Sequence, residues 1–251
     1  MTVLKHEQVS LTPEGVNLGG LHPETFDLIW LLGFGKRESC ADRFQILSQL
    51  NATQFITPPL TMISLHSKFA LQQGPLQQFV PDTWVSDDLD WLKAKIFEGG
   101  EWVVKPTAGS YGREVFRISG NSPNLSVILE TLTKNGYCIL QPYLASVEQG
   151  EKRILIANST LIGCYKRTTS EKFRTNLSNG ANVSECSLSD KELNMVEQAI
   201  QYFASAKVGF ASIDLVGGYI MEINVANPGG LQTLASLKAK DFALNTALSF
   251  V

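Results

Sequence analysis

Three side chains with hard oxygen donors, Asp214, Glu222 and Asn224, interrupt an otherwise apolar stretch, FASIDLVGGYIMEINVANPGG, at 210–230. Burying carboxylates among hydrophobic strands is costly unless a cation or a set of donors compensates them. An all-oxygen set selects magnesium or calcium, and magnesium commonly combines one or two carboxylates with substrate phosphates. The Gly217-Gly218 pair marks a hairpin turn, and its length decides which residues share a face. A two-residue loop pairs Val216 with Tyr219 and places Asp214 opposite to Glu222 in facing. A three-residue loop pairs Asp214 with Glu222 and keeps Asn224 on the same face. A metal site therefore requires the odd loop. The competing reading is a half-exposed hairpin whose outer face is acidic.

Two further segments carry cationic chemistry. In VVKPTAGSYGREVF, 103–116, a strand ending in Lys105 enters a small-residue loop and returns. Such a loop can fold over phosphates, its N–H groups donating and the lysine neutralising charge. The GxxxxGK[ST] pattern of a Walker loop is absent, and a solvated turn with an incidental lysine is the alternative. Between 152 and 174, the cations Lys152, Arg153, Lys166, Arg167, Lys172 and Arg174 face one acid, Glu171. That local excess suits a triphosphate or a carboxylate substrate, for which arginine offers two parallel hydrogen bonds. A solvated basic face remains open. A single-stranded nucleic-acid groove is disfavoured, since aromatic residues are scarcely interleaved with these cations.

The elements that must hold these groups are mixed. The pattern predicts a buried strand over 27–34, an amphipathic helix over 39–51 capped by Ser39, a break at Thr57-Pro58-Pro59 and a helix over 64–73. Strands follow at 102–106, 115–118, 137–140, 152–157 and 161–167, the last two flanking an Asn158-Ser159-Thr160 turn, with a helix at about 124–135. Ser189-Asp190-Lys191-Glu192 is a capping box opening a helix to about 206. The hairpin and a last helix over 229–249 complete the chain. This much antiparallel signal alongside helices predicts α+β.

Bulk properties exclude more than they assign. The chain of 251 residues is 44% hydrophobic with a formal net charge of −3, so no global basicity points to nucleic acid or an anionic membrane. Its longest apolar run, 28–34, is too short to cross a bilayer, and MTVLKHEQVS lacks the apolar core of a signal peptide; a cytoplasmic placement is expected. The four cysteines, Cys40, Cys138, Cys164 and Cys186, show no zinc-ligand spacing and read as small buried hydrophobes.

Taken in order, these segments resemble the prokaryotic-type glutathione synthetases, enzymes of the ATP-grasp fold. The likeness runs from about Lys68 to Leu237, through WVVKPTAGSYGREVFRI, CILQPYLASVEQGEKRILI, FRTNLSNGA and the Asp-x7-Glu-x-Asn hairpin. It implies an ATP-grasp fold of two subdomains, 64–143 with a glycine-containing flap and 144–251 with the metal site, preceded by a shortened N-terminal α/β segment, 1–63. It further implies that Lys68 and Lys105 hold ATP phosphates and that Gly109 to Gly112 form a flap, here carrying Ser110-Tyr111. Gln141, Pro142, Tyr143 and Leu144 would line the adenine, and Glu151 would meet the ribose. Arg153, Arg167 and Arg174 would handle phosphate or the acceptor carboxylate, with Asn176 beside them. Asp214, Glu222 and Asn224 would hold magnesium, with manganese as the other candidate ion. The implied activity joins a carboxylate to an amine through an acyl phosphate, the acceptor being an amino acid or small peptide. An ATP-binding regulatory or assembly protein without ligase chemistry is the alternative. The resemblance also suggests a homo-oligomer, with small-molecule substrates and neither nucleic acid nor membrane as partner.

Overall fold

The computed structural model of the protein describes residues 9–107, 114–134, 136–168 and 182–250. Two antiparallel sheets dominate it, and each turns one face toward helices and part of the other toward the chemical groups just outlined.

The smaller sheet joins β3 (Trp84–Ser86), β4 (Trp102–Pro106), β5 (Phe116–Ile118) and β6 (Cys138–Pro142) in the order β3-β6-β4-β5. Alternation sends Trp102, Val104, Cys138 and Leu140 into a core with Leu92 and Ile96 of α3 (Leu89–Phe97) and Leu129 of α4 (Leu125–Thr133). Val103, Lys105, Ile139 and Gln141 therefore emerge on the other face, Val103 opposite Gln141 and Lys105 opposite Ile139. Asp88 caps α3 by accepting from the N–H groups of Asp90 and Trp91.

The larger sheet comprises β7 (Glu151–Ala157), β8 (Thr160–Thr168), β9 (Asn182–Glu185), β10 (Phe210–Val216) and β11 (Tyr219–Asn224), ordered β11-β10-β7-β8-β9. One face, with Ile154, Ile156, Ile213, Leu215 and Ile223, packs on Met195, Val196, Ala199 and Phe203 of α5 (Asp190–Ser205). The predicted capping box opens that helix, Ser189 and Glu192 satisfying each other's backbone donors. The opposite face is shared. Leu155 and Tyr165 pack with Leu234 of α6 (Leu231–Lys238) and Phe242 of α7 (Phe242–Leu248), Ala157 and Phe210 pack with Ile56 and Trp30, and Glu222, Asp214 and Arg153 make the polar part.

The first part of the chain departs from its sequence reading. Residues 27–34 form no strand; Ile29 makes only an isolated parallel bridge to Phe55. A short hairpin, β1 (Val9–Thr12) and β2 (Gly15–Leu18), was not foreseen. Helix α1 (Cys40–Leu47) is shorter than expected, and Ser39 accepts from Arg43 rather than capping it. The proline pair starts a helix instead of stopping one: α2 (Pro59–Leu65) has Pro59 in its first turn, where a missing N–H costs nothing. The expected single C-terminal helix is split into α6 and α7 by Ala239, which adopts φ +50°. The N-terminal part is tied to the large sheet's helical side, Thr61 Oγ1 donating to Ala206 O at 2.9 Å and Gly209 N to Thr57 Oγ1 at 3.1 Å. Gly209 is there because a Cβ would strike the Ile56 backbone.

Candidate active site

The hairpin resolves its own register problem in a way the sequence reading did not consider. Val216 pairs with Tyr219, so the loop has two residues, Gly217 and Gly218. Both take positive φ, 58° and 83°, as a type I′ turn demands. Yet Asp214 pairs with Glu222 and Ser212 with Asn224, because the register shifts beyond Leu215–Ile220 and leaves Met221 as an extra residue. A β-bulge thus supplies the odd residue that the loop was expected to contain. The expectation that a two-residue turn would remove Asp214 from the face of Glu222 is corrected.

From this pairing a lateral row crosses the sheet: Glu222, Asp214, Arg153 and Tyr165 are successive cross-strand partners. Arg153 binds Asp214 through two parallel bonds, Nε to Oδ1 at 2.8 Å and Nη2 to Oδ2 at 2.7 Å, and Nη1 donates to Pro228 O at 3.1 Å. Arg167 Nη2 lies 3.1 Å from Asp214 Oδ2 and also contacts Glu151, its cross-strand partner. Burial alone would raise the Asp214 pKa; the two guanidinium groups outweigh it and hold the carboxyl down at about 2. Asn224 Nδ2 donates to Asp214 Oδ2 at a long 3.5 Å.

The smaller sheet faces this row. Lys68 Nζ is ion-paired with Glu222, and Lys68 N donates to Thr107 O at 3.1 Å just beyond β4. Lys105 is buried, and desolvation, aided by the neighbouring Lys68 charge and opposed by Glu222, lowers its pKa to about 8. Gln141 donates to Thr83 Oγ1 at 2.7 Å, while its Oε1 is buried without a hydrogen-bond partner. Arg167 Nε is likewise buried and unmatched. An unfilled acceptor and an unfilled cationic donor are therefore left at the two sides of one cleft. The cavity lined by Lys68, Gln141 and Glu222 is narrow, about 10 Å³.

The profile of "Prokaryotic glutathione synthetase, ATP-grasp domain" matches residues 68–239, the span that builds both sheets. The chain belongs to this family. Among its relatives, the glutathione synthetase of Xylella fastidiosa (strain Temecula1) is 33% identical over 192 residues, 75% of this chain and 60% of the relative. That of Xanthomonas axonopodis pv. citri is 32% identical over 209 residues, 81% of this chain and 64% of the relative. The chain thus spans less than two thirds of the length of these relatives. In fold it is similar to D-cycloserine synthetase DcsG, with a TM-score of 0.66, 21% identity and coverage of 92% of this chain and 84% of that one. It is also similar to D-alanine–D-alanine ligase from Bacillus anthracis, with a TM-score of 0.54, 16% identity and coverage of 76% and 70%. The fold is α+β ATP-grasp.

Within this family fold, the expected site residues are placed unevenly. Asp214, Glu222, Asn224, Arg153, Arg167, Glu151, Lys68 and Lys105 lie in or beside the ion-paired cluster. The expected adenine segment divides. Gln141 lines the narrow cavity, whereas Pro142 and Leu144 line a larger hollow of about 690 Å³ with Pro81 and Tyr219. Tyr143 N donates to Glu101 O at 2.8 Å, and the Tyr143 ring lies 3.7 Å beneath the Arg117 guanidinium. Gly109, Gly112, Arg174 and Asn176 lie outside the described residues.

Two participants went unnoticed in the sequence. Tyr165 completes the lateral row, and its signal was the alternation that puts it two residues before Arg167 in β8. Arg117 grips the Tyr143 segment through Glu101 and Glu148; nothing local in FRI announces that role.

As a metal site, the donor set fits in chemistry. Two carboxylates and an amide share one face, which suits a hard divalent cation. Both carboxylates are engaged by cationic side chains, Asp214 by Arg153 and Arg167 and Glu222 by Lys68, so a bound cation would compete with Lys68 for Glu222. Among the described residues, no helix is long and apolar enough to cross a membrane.

Proposed function

We propose that this chain is an ATP-dependent carboxylate–amine ligase that forms an amide bond through an acyl phosphate. The observation that carries the reading is the alignment of Glu222, Asp214 and Arg153 across the large sheet, facing Lys68 and Lys105 from the other side of the cleft. Phosphoryl transfer needs little covalent chemistry from a protein; it needs positioning and charge stabilisation. Lysines on one wall and arginines on the other supply both.

In this reading the substrate carboxylate attacks the terminal phosphorus and ADP leaves. The amine then attacks the acyl carbon, and phosphate departs as the amide forms. Lys68 and Lys105 hold the transferring phosphate. Arg167, whose Nε is unmatched, or Arg153 donates to the oxygen that gains charge at the acyl carbon. Asp214 keeps both guanidinium groups in place. Glu222, Asn224 and Asp214 would hold magnesium, or manganese, which neutralises phosphate charge. The solved structure of the ATP-grasp ligase PsnB with Mg and ADP supports the pairing of this fold with that ion, at a TM-score of 0.62 and 13% identity over 84% of this chain and 68% of that one.

The acceptor in this reading is an amino acid or small peptide. The relatives named for glutathione synthesis extend beyond the matched region, so γ-glutamylcysteine with glycine is one pair among those to try. The test is ADP release, with magnesium, across a matrix of amino-acid and dipeptide acceptors and amine donors. Release that requires both a carboxylate and an amine supports ligation. ATP and magnesium that stabilise the fold thermally, with no pair eliciting ADP, would overturn it.

A further inference from the structure

The face of β8 turned away from the site carries a second reactive arrangement. The β8–β9 register pairs Tyr165 with Glu185, Lys166 with Ser184, Arg167 with Val183 and Thr168 with Asn182. One step further along the same antiparallel register sets Cys164 opposite Cys186. The two thiols are in contact: Cys186 Sγ lies 3.7 Å from Cys164 Sγ, and Cys164 Sγ donates to Cys186 O at 3.4 Å. Directly opposed residues in antiparallel strands have Cα atoms about 4.5–5.5 Å apart, within the range of about 4.4–6.8 Å that a disulfide spans. Bond formation therefore needs rotation of side chains rather than movement of strands.

We propose that Cys164 and Cys186 form a site of reversible thiol oxidation, taking low-molecular-mass dialkyl disulfides as the oxidant. Cys186 is the more exposed residue, while Cys164 is buried beside Ile154 and Ile213. In the reduced pair the Cys186 S–H donates to Cys164, which with the nearby Lys238 and Lys152 charges lowers the Cys164 thiol to about 7 and raises that of Cys186, so the pair ionises as one thiolate sharing one proton. In the first step that proton passes to Cys164 as the Cys186 sulfur attacks the external disulfide and forms a mixed disulfide; one small thiolate leaves and takes a proton from solvent. Cys164 then gives up its proton to solvent, and its thiolate displaces the second small thiol. Two protein thiols and one external disulfide become one protein disulfide and two external thiols. The other two cysteines lack this activation: burial raises the Cys40 thiol and pushes Cys138 up to about 11.

The bond would fasten an edge strand whose four residues are all exposed to the strand that carries Tyr165 and Arg167. Nothing in it depends on the ligase reading, since the thiols face α5 and not the cleft.

The experiment incubates the full chain with hydroxyethyl disulfide, then counts thiols after denaturation and maps peptides without reduction. The expected result is loss of two of the four thiols, a linkage joining the Cys164 and Cys186 peptides, and a Tm rise of about 5 °C that dithiothreitol reverses. Cys186→Ala and Cys164→Ala should each lose that rise, the former being the safer fold because Cys164 sits in the core. The double variant Cys40→Ser with Cys138→Ser should keep it. An unchanged thiol count, a bridge mapping to Cys40 or Cys138, a disulfide-linked dimer, or a mixed disulfide persisting on Cys186 would each overturn the proposal.

Discussion

Asp214 and Lys105 show opposite solutions to burying a charge. Asp214 is held by two guanidinium groups and stays ionised down to about pH 2, compared with 3.8 for a free carboxyl. Its contribution to stability is complete above the free value and disappears as pH falls through the folded one. Asp214→Asn leaves Arg153 buried without its paired carboxylate and Arg167 with Glu151 alone, at a cost of about 3–5 kcal/mol. Calorimetry should find a Tm lower by about 10 °C at neutral pH, with the gap to wild type closing between pH 4 and 2; an unchanged Tm would remove the ion pairs from the account. Among the described residues, Lys105 has no such close partner. Its drop from 10.5 to about 8 corresponds to a cost on the order of 3 kcal/mol for carrying its charge in the folded state. Below pH 8 that cost is fully present. As pH climbs toward 10.5, the folded chain sheds the proton while the unfolded chain retains it, so stability rises. Lys105→Met should therefore melt higher than wild type near pH 7 and lose that advantage by pH 10, while ADP ceases to stabilise it. A Tm difference that does not vary with pH would place the lysine outside the low-dielectric cleft. Residue types announced this chemistry in the sequence, but not its pairing: Arg153, Arg167 and Asp214 are brought together by cross-strand partners far apart in the chain.

The hairpin is where element geometry decides chemistry. Gly217 and Gly218 both need positive φ, but only at Gly217 would an added Cβ clash, striking Ser146, whereas at Gly218 it would reach the flexible end of Lys191 at an ordinary 3.4 Å. Gly217→Ala should cost about 2 kcal/mol and Gly218→Ala about 1, the difference being the clash and the common part the backbone strain. Chemical denaturation measures both, and Ser146→Gly should recover the difference in a double-mutant cycle; equal costs would mean the turn does not press on residues 145–149. The capping box of α5, the alternation of β7 and β8 and the glycine pair were legible from sequence because each is a local rule. The Met221 bulge was not, since whether a strand carries an extra residue depends on its partner's hydrogen bonds. Nor was α2, where a proline pair reads as a stop until the fold shows which side of it is helical. The apolar run at 27–34 had strand-like composition but found no sheet edge to join.

At the scale of the molecule, the part of the cleft beside Lys68 and Glu222 is too narrow for a nucleotide's phosphates, although the hollow lined by Pro142 and Leu144 is roomy, about 690 Å³. The cavity between Lys68, Gln141 and Glu222 has about 10 Å³, whereas small-molecule sites usually offer at least about 300 Å³. Occupation of this narrow part therefore requires it to widen, and the Lys68–Glu222 ion pair across it is a contact that widening would break. The same glutamate would serve in the metal site, so one substitution has opposite effects under two conditions. With magnesium present, Glu222→Gln should weaken ADP binding, because a carboxylate ligand is lost. With metal chelated, it should speed association of a fluorescent ADP analogue, because the latch is weaker. A partly exposed pair is worth about 1 kcal/mol, which sets the expected acceleration at about fivefold. Stopped-flow fluorescence in chelator distinguishes the cases. An association rate identical to wild type would mean that Lys68 and Glu222 do not hold the cleft shut, and a slower rate would mean that the carboxylate assists entry rather than blocking it.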